Sequence, residues 1–376
     1  MAALGLAWLG LSGGSCLLRL LNDAGVESVW SASRPQLLEW GVPERVVAGF
    51  ENGRHGFNVA EAEGVLEGAG IRFLPLGSQW YPRELRHLEL PPAGLFVRAS
   101  EKALERLAAA PRITVVGTRR ASPEGLRATD VFVSALSDRG IVVVSGMALG
   151  IDGRAHHSAV QTGGLTVAIL GCGADIIYPR GHRWLYEKIA EKGVIASELP
   201  PGTNPTRWTF PHRNRLLAAL GDAVMVVEAS ITSGALQTAR WALDLGRPVF
   251  SVPGSIFNDG SKGCNTLLYD GAVPALRPEM MVEDFLTQTR IERGVREAHE
   301  PSRTGPGSDS LTFSSGLAEN RRVGVVLEAL GAGPATVDGL LALTGLPVRE
   351  LGAALGELEV ARLVARGGPG IYMRAP

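Results

Sequence analysis

Arg119, Arg213, Asn214 and Arg215 stand at the ends of short segments that share one binding chemistry. The segments are Ile113-Thr-Val-Val-Gly117-Thr118-Arg119, Val142-Val-Val-Ser145-Gly146-Met147-Ala148-Leu149-Gly150-Ile151-Asp152 and Phe210-Pro211-His212-Arg213-Asn214-Arg215. In the first two, a β-branched run reads as a buried parallel strand that breaks at glycine where a helix should begin. Glycine lets the backbone approach a ligand closely, and a helix start offers free N–H groups and the positive end of a dipole. In an open α/β sheet such breaks collect at the carboxyl ends of the strands, where ligands bind. Arginines beside them ask for phosphate, which the planar guanidinium grips through charged hydrogen bonds.

Further groups fall on the same side of the inferred sheet. Ser233-Gly234 opens a helix after the strand ending at Glu228, and Asn265 opens another. Arg180, Arg183 and Lys262 lie in loops or at helix starts. Tyr178, Trp184, Trp208, Phe210 and Phe257 interleave with these cations. Arginines mixed with stacking rings hold single nucleic-acid strands without reading sequence. Trp208 and Phe210 serve equally well as core residues, and Met147 as core filling or ligand contact. Asp152 reads as the cap of the helix that follows it.

Enzymatic signatures are missing at the places where they would have to stand. Gly117 is not followed by the second and third glycines of the dinucleotide fingerprint, and Gly171-Cys172-Gly173 meets Ile176 in the third place. No Gly-x-x-x-x-Gly-Lys run cradles a nucleoside triphosphate. His156 and His157 are adjacent, so they cannot ligate a metal from one helical face. Ser145 lacks the nucleophile elbow. The expectation is an anion site without catalytic residues, metal or cofactor.

The elements that must position these groups follow from pattern. At 376 residues the chain is long enough for two or three domains. Its formal net charge of −1 gives no whole-molecule attraction to nucleic acid or membrane, so any anion site is a local patch. Cys16, Cys172 and Cys264 are far apart and odd in number, which fits a reduced, cytoplasmic protein. The apolar start, Met1 to Leu11, reads as a buried helix and is too short to span a bilayer. Residues 1–75 read as a module of short helices, with a hairpin candidate at Leu11-Ser-Gly13-Gly14 that has no lysine nearby. Residues 76–110 form a Pro- and Leu-rich connector to a core domain ending at 287. Strands are expected at 113–116, 141–144, 166–170, 193–196, 223–228 and 248–252. Their alternation with helical stretches predicts a mostly parallel, doubly wound sheet.

Residues 288–316 are polar and rich in Arg, Glu, Ser, Pro and Gly, and read as a linker. From 318 to 376 the order is helix, Gly turn, helix, helix and a Gly-Pro-Gly hairpin, that of a winged helix. Its presumed recognition helix, about Val348 to Val360, sets Arg349 against Glu350, Glu357 and Glu359. A helix meant for the major groove presents Arg, Lys, Asn or Gln, so this module is expected to make a protein contact or serve structure.

Taken together the motifs resemble the DprA/Smf family, the DNA-processing proteins of bacterial natural transformation. The resemblance rests on Val116-Gly117-Thr118-Arg119, the run Ser145 to Asp152, Tyr178-Pro179, the run Phe210 to Arg215, Glu228-Ala229-Ser230 through Ser233-Gly234, Pro253-Gly254, and Gly263-Cys264-Asn265-Thr266-Leu267-Leu268. It implies an extended Rossmann-like domain that binds single-stranded DNA, a sterile-alpha-motif-like helical domain in front and a winged helix behind. It also implies a homodimer and loading of the RecA recombinase onto the strand. Thr118 stands where the family often has serine, and Arg180 where it often has lysine. A competing reading is a nucleotide-processing enzyme of the phosphoribohydrolase type on a related fold. That class carries a Pro-Gly-Gly-x-Gly-Thr cluster and a helical glutamate, and this chain has only Ser233-Gly234 and Pro253-Gly254.

Overall fold

The computed structural model describes residues 1–9 and 15–297, then residues 335–344, 364–368 and 371–374 together with 326, 329, 330, 351, 354, 355 and 358. The chain divides into two compact units, Met1–His299 and Glu300–Pro376.

The first unit opens with six helices: α1 (Ala2–Leu9), α2 (Ser15–Asp23), α3 (Val26–Ser31), α4 (Arg34–Glu39), α5 (Glu44–Gly56) and α6 (Val59–Ala69). The apolar start does form a helix with buried side chains, Ala2, Leu4, Leu6 and Ala7. Helix α6 has both of its stops in the sequence. Asn58 caps its start by accepting from the amides of Ala60 and Glu61, and Gly70 ends it in the left-handed region at φ +62°. The hairpin candidate at 11–14 lies outside the described residues.

A nine-stranded sheet follows. Its elements are β1 (Arg72–Pro75), β2 (Gly94–Ala99), α7 (Glu101–Ala109), β3 (Arg112–Val116), α8 (Pro123–Asp138), β4 (Val142–Ser145), α9 (Ile151–Gln161), β5 (Thr166–Ile169), α10 (Arg183–Lys192), β6 (Val194–Ser197), α11 (Thr209–Leu220), β7 (Ala223–Val226), α12 (Gly234–Asp244), β8 (Val249–Ser251), α13 (Lys262–Tyr269), β9 (Val273–Pro274) and α14 (Pro278–Glu297). The strand order is β1-β2-β6-β5-β4-β3-β7-β8-β9. Strands β3 to β9 pair in parallel, while β1 and β2 run antiparallel at one edge.

All six expected strands are present, each within a few residues of its predicted bounds. Strands β1, β2 and β9 were not expected. Leu95, Phe96 and Val97 of β2 are all buried, so the segment shows no alternation to betray it. Both faces of the central sheet are covered. Ile113, Val115, Val143 and Met225 meet α8, α9 and α14, while Val116, Val142, Val144 and Val224 meet α7, α11 and α12. Each such fully buried side chain contributes about 1.5–3 kcal/mol. The helical module shares a core with the sheet edge: Trp8 meets Phe96 edge-on, with ring centroids 6.0 Å apart.

The chain path matters for function. From β3 it steps outward through β4, β5 and β6, then returns to lay β7 against the other side of β3. The loops after β3 and β7 therefore part from each other, which opens a crevice at the carboxyl ends of the strands.

Helix α14 runs on through residues 288–297, the first part of the polar stretch read as a linker. In the second unit β10 (Ala335–Thr336), α15 (Val337–Thr344), β11 (Val364–Gly368) and β12 (Ile371–Arg374) form a small antiparallel sheet with its helix, in the order β10-β12-β11. Leu351, Ala354, Leu355 and Leu358 recur at helical spacing and are buried with Val326, Leu330, Leu340 and Val364. Arg349, Glu350, Glu357 and Glu359 lie outside the described residues. Among those described, no helix is long and apolar enough to cross a membrane.

Candidate nucleic-acid interface

A cleft of about 610 Å³ occupies the crevice between the β3 and β7 loops. The β3 loop contributes Gly117, Thr118, Arg119 and Arg120, and the β7 side Ser230, Ser233 and Gly234. Helix α11 and the loop before it add Arg207, Phe210, Arg213 and Asn214, and Tyr178 closes one side.

The β3 loop is pinned at several points. A Cβ on Gly117 would fall 2.5 Å from Ile151 and 2.8 Å from the Glu228 carbonyl, so only glycine fits. The Thr118 amide donates to that same carbonyl at 2.7 Å, and Thr118 Oγ1 accepts from the Arg120 amide at 3.2 Å. The buried Glu228 carboxylate accepts from the amide and hydroxyl of Ser122 at 2.9 and 3.0 Å, at the start of α8. A carboxylate there also favours the helix dipole.

What this loop presents is Arg119, exposed, with Cζ 5.1 Å from the centroid of the Phe210 ring. Phe210 in turn packs against Tyr178, centroids 5.6 Å apart. Arg207 lies over Trp208 at 4.6 Å, and Trp208 is 70% exposed. Trp208 and Phe210, left open between core and surface by sequence, are thus a surface residue and a cleft residue. The cleft is lined by four guanidiniums, those of Arg119, Arg120, Arg207 and Arg213, against one carboxylate, Asp152. Such an excess gives a local positive field in a chain whose net charge is −1.

The cleft does not gather every residue expected there: some are committed to the interior, and others are exposed elsewhere on the surface. Arg215 is 2% exposed and forms a two-pronged pair with Glu198, at 2.9 and 2.6 Å. It cannot also reach a phosphate. Ser145 is fully buried and donates to the Val115 carbonyl at 2.6 Å. Gly146 and Met147 line only a cavity of about 50 Å³ behind Arg119. Met147 is buried, with φ +59°, the one non-glycine in the left-handed region among the described residues. Asn265 does not start a helix. It sits in the second turn of α13 and clamps Gly254, accepting from its amide and donating to its carbonyl. Arg180, Arg183 and Lys262 are exposed but do not line the cleft, and Lys262 pairs with Asp259 at 2.6 Å.

Arg213 is a mixed case. It lines the cleft yet is only 4% exposed, and it donates to the carbonyls of Gly146 and Ile169. Burial lowers its pKa to about 10. It ties the β4 and β5 loops together and closes the floor of the cleft. Asp152 is not a cap: Gly150 holds the N-cap position of α9, and Asp152 is buried one residue inside the helix. Arg120, Arg207, Ser230 and Gln237 were missed as cleft residues. An Arg119-Arg120 doublet in the first loop was the available signal for one of them.

Comparison with known proteins agrees with this fold. The family model for DNA recombination-mediator protein A matches residues 72–286, and the DprA winged helix domain matches 321–370. Protein Smf of Synechocystis is 32% identical over 380 residues, covering 96% of each chain. The X-ray structure of DNA processing protein A from Streptococcus pneumoniae superposes with a TM-score of 0.63 at 29% identity, covering 74% of this chain and 94% of that one. DNA processing protein A from Helicobacter pylori, whose structure describes a single-stranded DNA binding mode, superposes with a TM-score of 0.53 at 29% identity, covering 58% and 98%. With a matching model over more than half its length and a relative matched nearly end to end, the chain belongs to the DprA/Smf family of DNA-processing proteins.

Proposed function

We propose that this protein binds single-stranded DNA in the cleft between the β3 and β7 loops and acts as a recombination mediator, protecting incoming DNA in the cytoplasm and loading RecA onto it during natural transformation. The observation that carries the binding step is the stack of Arg119 on Phe210 beside Tyr178, at the mouth of a cleft with three more guanidiniums. Guanidiniums take the phosphates, and exposed rings such as Tyr178 and Trp208 offer faces to unpaired bases. A duplex hides its base faces, so it loses the stacking part of this binding. The nucleotide-processing alternative needs a carboxylate open to substrate, and Asp152, the only acid among the lining residues, is buried.

The homodimer belongs to the same proposal. Phe257 (92% exposed), Tyr269 (91%) and Leu276 (61%), on the elements that follow β8, present apolar surface.

A gel-shift titration with matched single and double strands at one salt concentration tests the binding step. Preference for the single strand, without strong dependence on its sequence, is the expected result. Equal affinity for both forms contradicts the cleft reading.

A further inference from the structure

Asp152 is an acid on the floor of a cleft whose other charged lining groups are all arginines. It is 5% exposed. The backbone amides of Ala148, Gly117 and Gly146 face its carboxylate and favour its charged form. None of these belongs to α9, the helix that carries Asp152. They come from the two glycine turns that follow β3 and β4. The Arg213 guanidinium crowds the same side of Gly146: a Cβ on that glycine would fall 2.6 Å from an Arg213 nitrogen and 2.6 Å from Asp152 Oδ2. Burial pushes the carboxyl up from its ordinary value and outweighs Arg213 and the three amides, which pull the other way by favouring the charged form.

Backbone amides from two strand-end turns, beside a helix start and an arginine, are what an α/β sheet offers to a phosphate. Here the chain fills that place with its own carboxylate. We propose that Asp152 is a built-in substitute for a phosphate group: a positioning residue that locks the Gly117 and Gly146 turns and Arg213 in place, and that reserves the cleft floor against small phosphates such as those of free nucleotides. Two consequences follow. The two turns are filled before any DNA arrives, so Arg119 is presented on a loop that needs no ordering on binding. The filled floor also leaves strand phosphates to the guanidiniums at the mouth, Arg119, Arg120 and Arg207. This revises the expectation that phosphates rest on the turn amides.

The inference rests on the single-strand reading, and its test separates the two. The full chain is compared with Asp152→Ala, which empties the carboxylate place, and Asp152→Asn, which keeps the shape without the charge. Melting temperatures are taken in sodium formate, sodium phosphate and sodium chloride at matched ionic strength. Affinity for a labelled oligothymidine is taken in formate and chloride. Formate and phosphate should raise the melting temperature of Asp152→Ala above its value in chloride and leave the natural chain unmoved. Strand affinity of Asp152→Ala should fall about tenfold, equivalent to about 1.4 kcal/mol, and formate should restore part of it. A residue that merely supports the fold gives no anion-specific rescue. Should Asp152→Ala not fold, Asp152→Asn decides: a folded variant with weakened strand binding is expected, and unchanged binding overturns the proposal. A folded Asp152→Ala that ignores formate and phosphate also overturns it. Failure of the natural chain to bind oligothymidine refutes the single-strand reading instead, and the anion dependence of the Asp152→Ala melting temperature still tests the substitute.

Discussion

Arg119 lies over Phe210, its Cζ 5.1 Å from the ring centroid, so the cation at the cleft mouth is held by an aromatic face and not by an acid. An acid partner would neutralise the charge and compete with DNA. A ring orients the guanidinium, contributes about 0.5–1 kcal/mol at an exposed site, and leaves its N–H donors free at the rim.

Arg119→Ala should therefore weaken single-strand binding by about tenfold or more at fixed salt, since a charged hydrogen bond to phosphate is worth about 1.5–3 kcal/mol. Its melting temperature should stay that of the natural chain, because the loop is anchored through Thr118 and Ser122. Phe210→Leu should produce a smaller loss, by releasing Arg119 from its orientation. Fluorescence anisotropy with a labelled oligothymidine, paired with thermal melts, checks both. An unchanged dissociation constant for a folded Arg119→Ala removes this loop from the site.

Arg215 should behave in the opposite way. Arg215→Ala leaves Glu198 buried without its partner, and breaking a buried pair costs about 3–5 kcal/mol of stability. DNA affinity per folded molecule should hardly change. The pair also sets an acid limit. Burial alone would push the Glu198 carboxyl up, but Arg215 and His212 more than reverse this and hold it at about 2, against an ordinary value of 4.5. A depressed carboxyl stabilises the fold above its unfolded pKa, and that contribution is lost as pH falls from about 4.5 through about 2. Glu198→Gln should be less stable than the natural chain at neutral pH and should lack this part of the slope, so the two chains converge in acid. Urea denaturation at a series of pH values measures it, and parallel curves refute the role of the pair.

A fragment ending at His299 should keep both the strand affinity and the dimer mass of the full chain. The first unit, Met1–His299, contains the cleft and, among the described residues, three of four hydrophobic cores. Within Leu267-Leu268-Tyr269 only Tyr269 is exposed, while Leu267 is packed inside. Tyr269→Glu is thus the informative substitution: it should yield a folded monomer by light scattering. A fragment that is monomeric, or that loses most of its affinity, would move these roles toward the C-terminal unit.

Much of this protein was legible from local pattern. β-branched runs ending at Gly117 and Gly146 marked buried strands and the turns that end them, because a strand covered on both faces needs apolar residues at every position. Asn58 and Gly70 bounded α6 for the same kind of local reason. The antiparallel strands β1 and β2 were not legible, since their pairing depends on residues far along the chain and their composition lacks alternation.

The sequence by itself determined the strands from β3 to β8 and their order along the chain, the glycine turns and the supply of arginines, because these follow from steric and hydrophobic rules acting over a few residues. Which arginines face solvent was decided only by the tertiary structure. Arg213 and Arg215 are two residues apart on α11, and both read as phosphate ligands. Folding brings Glu198 under one and the carbonyls of Gly146 and Ile169 under the other. A buried guanidinium must satisfy its donors inside the protein, and the partners that do so are set by how distant segments meet.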